Sequence, residues 1–197
     1  MVYAVAFVAG GCIMAVASWY GFHLEETVGN FIRNPGFEEK DTHWGSGYLE
    51  DSVRNLRHKN ELEKLPYVVS PDPEKTISDG RVVYTGAHRG NNCFLFTHKT
   101  DQKSDHWGSL SQRVHGLRPG KQYVIRFWAK GKVSAAGAFF ITTDYPWGDA
   151  EPVPVTDVWE QRTHRFTAGP LDYGDIRFVI QAPGEVWLDD VDMREDR

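Results

Sequence analysis

The chain predicts an all-β sandwich preceded by one membrane-spanning segment. Three observations predict it: an uncharged apolar run at the N terminus, short β-rich runs separated by turn residues thereafter, and almost no sustained helical period. A chain of 197 residues, 41% hydrophobic and 25% charged, buries one sizeable core. The division expected is therefore residues 1–24 as anchor and 25–197 as one sandwich domain, with an insertion at about 49–80.

From Val2 to Phe22 no side chain is charged. About 21 residues, rising about 1.5 Å each, span roughly the 30 Å hydrocarbon layer. Tyr3 at one end and Trp19 and Tyr20 at the other sit where amphipathic rings prefer the headgroups. Ala6 with Gly10, and Gly11 with Ala15, form four-residue small pairs that let other transmembrane helices approach closely. A cleaved signal peptide is the rival reading, because Ala15-Val16-Ala17 before Ser18 fits small-x-small; against it, no Lys or Arg precedes the apolar run. Glu25 and Glu26 follow it with no basic residue nearby, which places the domain outside the cytoplasm, in the periplasm or at the cell surface.

The expected strands are 82–84, 93–97, 109–114, 122–130, 138–143, 159–167, 176–181 and 186–193. In the fourth, Tyr123, Ile125, Phe127 and Ala129 share one face, and Val124, Arg126, Trp128 and Lys130 share the other. Arg118-Pro119-Gly120-Lys121 supplies the turn before it. Asp51–Leu65 is the one stretch with helical character, and Ser70-Pro71-Asp72-Pro73 breaks regular structure after it.

Three stretches, taken in order, resemble the carbohydrate-binding modules of families 4, 9 and 22. They are Asn34-Pro35-Gly36-Phe37-Glu38, Gly116–Tyr123 running into Phe127-Trp128-Ala129-Lys130, and Val186-Trp187-Leu188-Asp189-Asp190-Val191. Between the last two, Trp159 and His164-Arg165-Phe166-Thr167 resemble the family's penultimate region. The resemblance implies a galactose-binding-like jelly roll of two antiparallel sheets, with first and last strands adjacent. It implies a glycan site on the concave face or at the loop tips. It also implies a structural calcium at Glu38 and Asp189. The residues themselves equally suit Glu38 capping a turn and Asp189 pairing with an arginine.

Sugar recognition needs flat aromatic faces and planar polar groups. Trp107, Tyr145 and Trp147 lie in polar, turn-rich contexts, and Trp128 shares a face with Arg126 and Lys130. These are the ligand candidates, whereas Trp159 and Trp187 are expected to plug the end of the sandwich. Net charge of −5 offers no field for nucleic acid. Cys12 and Cys93 fall in separate regions and form no disulfide framework; the eight histidines show no zinc spacing; and no nucleophile elbow or phosphate loop occurs. Adjacent Asp189 and Asp190 would point to opposite faces of a strand and could not flank one bond. The chain therefore reads as a binding module without catalysis, for a glycan. The alternative is a structural accessory subunit that docks a larger membrane protein complex through its helix and sandwich.

Overall fold

The computed structural model describes residues 29–46, 78–99, 108–143 and 149–196. The proposed anchor, the helical stretch at 51–65 and most of the insertion lie outside these residues. So do Trp107, Tyr145 and Trp147. The chain divides between Asn30 and Phe31, and every strand belongs to the second unit, residues 31–197.

Among the described residues ten strands form: β1 Gly45–Ser46, β2 Ser78–Val83, β3 Cys93–His98, β4 Gly108–His115, β5 Gln122–Val133, β6 Phe139–Thr142, β7 Glu151–Pro152, β8 Glu160–Thr167, β9 Tyr173–Ile180 and β10 Gly184–Glu195. They build two antiparallel sheets of five, ordered β1-β4-β9-β6-β7 and β2-β3-β10-β5-β8. All eight expected strands are present. β1 and β7, of two residues each, were not expected, and β2 begins at Ser78, inside the expected insertion.

The alternation in β5 holds from Ile125 on: Tyr123, Ile125, Phe127 and Ala129 are buried between the sheets and Arg126, Trp128 and Lys130 remain half-exposed, while Val124, expected on the outer face, is buried too. Phe94, Phe96, Phe139 and Phe178 meet Phe127 in a chain of aromatic contacts 4.9–6.4 Å apart. Such rings carry much of the apolar area that drives the sheets together. The expected turn before β5 forms, with Lys121 N donating to Arg118 O at 3.1 Å and Gly120 at φ 74°. Proline then glycine at its centre suits that geometry. Tyr123 fixes the turn from below, its hydroxyl accepting Arg118 N at 2.8 Å.

The implied adjacency of first and last strands takes another form. β1 pairs with β4 in the opposite sheet, and β10 is met by residues ahead of β1: Phe31 N donates to Met193 O, and Val191 N to Pro35 O. Asn34, Phe37, Lys40 and His43 all have positive φ, so this segment turns repeatedly and cannot extend a ladder. Asn34 holds the turns together, donating to Lys40 O and Thr42 O and accepting Glu39 N. Phe37, fully buried against Trp44 and Phe94, plugs the end of the sandwich.

Candidate functional site

The outward face of the second sheet follows from strand register. Lys130 of β5 lies opposite Trp187 of β10, Trp128 opposite Asp189, and Arg126 opposite Asp192. Trp159 stands just before β8 on the other side of β5. Lys130 Nζ sits 4.8 Å from the Trp159 ring centroid and 5.6 Å from that of Trp187. An ammonium over an indole face is attracted by the ring quadrupole, worth about 0.5–1 kcal/mol where water has access. The loop 84–92 completes this arrangement, because Gly86 O accepts both Lys130 Nζ at 3.1 Å and Trp159 Nε1 at 3.2 Å. Tyr84, at the start of that loop, is 64% exposed.

Of the sequence candidates, Arg126 and Trp128 take their expected face. Trp128 is stacked under His88 at 3.8 Å and 15°, so one side of its indole is already covered. Arg126 stands 3.9 Å from Asp192. Trp159 and Trp187, expected to plug the end of the sandwich, are half-buried as well, and neither enters the core. The signal that placed Trp187 was available: Val186 and Leu188 alternate inward, so the ring between them must point out.

Beside this face lies a carboxylate corner. β10 carries a bulge between Asp189 and Asp192, with Asp190 at φ 48°, and the extra residue breaks the strict alternation of the strand. Asp189 and Asp190 therefore do not point to opposite faces, as a regular strand would require. Both reach the 84–92 loop. Asp189 Oδ2 accepts the backbone amides of His88 at 2.8 Å and Arg89 at 3.2 Å, and its Oδ1 accepts Asp190 N. Asp190 Oδ2 lies 2.6 Å from His88 Nδ1. Burial pushes the Asp189 carboxyl up to about 7, with Asp190 adding to the rise and the backbone amides opposing it. Glu38 Oε1 accepts Asn91 N at 2.7 Å and Asn92 N at 3.1 Å, which is the capping role. Asp189 takes backbone amides rather than a guanidinium; the Arg89 side chain lies 4.0 Å from Asp190.

Glu38 and Asp189 are oxygen donors of the kind calcium takes, yet both are engaged by loop amides. Among the described residues no three His, Cys, Asp or Glu side chains gather as a metal-holding set. Cys93, at the same corner, is buried with its thiol pushed up to about 12, chiefly by burial and further by Asp189. It stays a thiol at neutral pH.

No protein-family model matches the chain, and no curated protein sequence matches it. Solved structures do. A family 61 carbohydrate-binding module in complex with β-1,4-galactotriose is similar at a TM-score of 0.54 and 19% identity, over 85% of this chain and 99% of that one. A family 4 carbohydrate-binding module is similar at 0.54 and 19%, over 84% and 99%. The enzymatically active domain of tailspike protein 4 from bacteriophage CBA120 is similar at 0.55 and 13%, over 85% of this chain and 22% of that one. At these identities the likeness establishes the jelly-roll sandwich. It comes from proteins that are mainly carbohydrate-binding modules.

Proposed function

We propose that this chain is a non-catalytic, membrane-anchored glycan-binding module of the extracytoplasmic space, and that it takes its glycan on the outer face of the second sheet. The observation that carries this reading is Lys130 poised between two half-buried indoles, Trp159 and Trp187. Stacking against sugar C–H faces needs such rings, held rigidly and partly open to water. Lys130, Arg126 and Tyr84 supply hydroxyl partners around them. The similarity to carbohydrate-binding modules supports the same reading, as does a sequence without a nucleophile or general-base motif.

Affinity electrophoresis of the full chain in a non-glycosidic detergent tests it, with β-1,4-galactan first and xylan, β-glucan and mannan alongside. Retardation by at least one polysaccharide, relieved in Trp159→Ala and Trp187→Ala, is expected. Unchanged mobility on every polysaccharide contradicts it.

A calcium ion at Glu38 and Asp189 belongs to this proposal as a structural element only. It would tie the segment at 34–38 to β10 and resist fraying. Thermal unfolding with calcium and then with a chelator reads it directly: a higher midpoint with calcium supports the ion, and superimposed curves remove it.

A further inference from the structure

A second region, on the open side of the sandwich, has the features of a binding site. β8 is an edge strand of one sheet, and β7 an edge of the other. Between β8, β9 and the short β7 lies a cavity of about 750 Å³. That volume falls in the range that small-molecule sites occupy. His164, only 3% exposed, lines it from β8. Its Nδ1 is 2.6 Å from Glu151 Oε2, while its buried Nε2 stands 3.8 Å from Asp149 Oδ2 and has no hydrogen-bond partner among the described residues. Leaving a buried polar atom without a close partner is costly, so the site gains when something supplies one.

The walls define the chemistry of that partner. Asp149 accepts from Thr142 Oγ1 at 2.5 Å, from Thr143 N at 3.0 Å and from the Thr143 hydroxyl, which together fix its carboxylate at the cavity wall. Arg177 of β9 faces the cavity as well. Two other charged lining residues are already paired outward: Arg165 with Asp196, and Asp175 with Arg113. Acceptors (Asp149, Glu151) and donors (His164 Nε2, Arg177) thus line the same cavity, and the signs nearly balance. A balanced set disfavours an anion or a cation and suits a ligand whose hydroxyls each donate and accept. Phe166, Leu171 and Tyr173 flank it with apolar or aromatic surface, which suits the C–H face of a pyranose ring.

We infer that the cavity between β8 and β9 binds a single neutral sugar ring, such as the free end of a glycan, with His164 Nε2 and Arg177 donating to its hydroxyls and Glu151 accepting from them. This site is separate from the indole face, so either can fail alone. The experiment is imidazole NMR of the full chain in non-glycosidic detergent. It is titrated with D-galactose, D-glucose, D-xylose and D-mannose, and with D-galacturonate as the anionic arm. Saturable movement of the His164 ring signals by a neutral sugar is expected. Arg177→Gln, which sits on the cavity wall and spares the buried histidine, should weaken it about tenfold or more, while Trp159→Ala leaves it in place. His164 signals unmoved by every neutral sugar overturn the inference. So does a response to galacturonate alone, or a response lost in Trp159→Ala but kept in Arg177→Gln.

Discussion

The indole face of the second sheet and the slot between β8 and β9 hold polar and aromatic groups by opposite means. On the face, Trp159 and Trp187 rest against Lys130 from the outside, half in water, with the Gly86 carbonyl accepting from Trp159 and Lys130. In the slot, His164 is enclosed between two carboxylates, and its Nε2, 3.8 Å from Asp149, has no hydrogen-bond partner among the described residues. A ring on the face can be removed with little cost to the fold. A group in the slot cannot. The difference separates groups that are free to serve binding from groups that also hold the two sheets closed at that edge.

The largest effect expected is on the slot. His164→Ala leaves Asp149 and Glu151 facing one another without the imidazole and opens a cavity where a buried ring stood, so a loss of about 2–4 kcal/mol is expected from thermal or denaturant unfolding. A loss comparable to an exposed substitution would show that the two carboxylates do not depend on it. Next is Gly90→Ala. Gly90 has φ 66°, and an added Cβ would run into Glu38 Oε1, displacing the carboxylate that caps Asn91 and Asn92. About 1–3 kcal/mol is expected, measured the same way, and accompanied by faster amide exchange at residues 91 and 92. Protection unchanged there would contradict the capping role.

Smaller still in stability is Trp159→Ala, at under about 1 kcal/mol for a half-exposed ring. Its effect on polysaccharide affinity should be about tenfold or more. A large stability loss with intact affinity would reverse the contrast between face and slot.

The pH profile gives the finest test. Burial acts to lower the His164 pKa, but Asp149 and Glu151 outweigh it, and the net shift is upward. Its contribution is therefore fully present below about 6.5 and lost as pH rises through the raised folded value. Burial acts to raise the Asp149 carboxyl, but His164, Thr142 and Thr143 outweigh it and hold it well below the usual carboxylate range. That contribution is present above its unfolded value and lost as pH falls through the lowered one. Arg177, Arg165, Asp175 and Tyr173 also line the slot. Stability should thus decline from mildly acid toward alkaline pH, and His164→Gln should flatten that decline. A wild-type and variant that decline in parallel would assign the slope elsewhere.

Much of the fold was legible because strands that bury one face advertise it every second residue, as β5 does from Tyr123 to Ala129. β1 and β7 were not, since two residues carry no period. The segment at 34–38 could be read as a motif but not as a mechanism: Phe37 as plug and Glu38 as cap emerge only when Phe94, Asn91 and Asn92, more than fifty residues away, are brought in. The same holds for the candidate site. Trp187 could have been placed outward from its neighbours, whereas His88 over Trp128 joins residues that no local pattern links. The bulge that brings Asp189 and Asp190 to one loop is invisible in a pair of adjacent aspartates. His164 reads in sequence as an isolated histidine, and its carboxylates come from β7 and the residues just before it.

The central claim is that the indole face is the glycan-binding surface. Its most direct test is the indole N–H spectrum of the full chain titrated with β-1,4-galactan oligosaccharide, or with whichever polysaccharide retards the protein. Saturable shifts of the Trp159 and Trp187 signals are expected, at the same half-saturation as binding itself. Binding that leaves both signals where they were would contradict the claim.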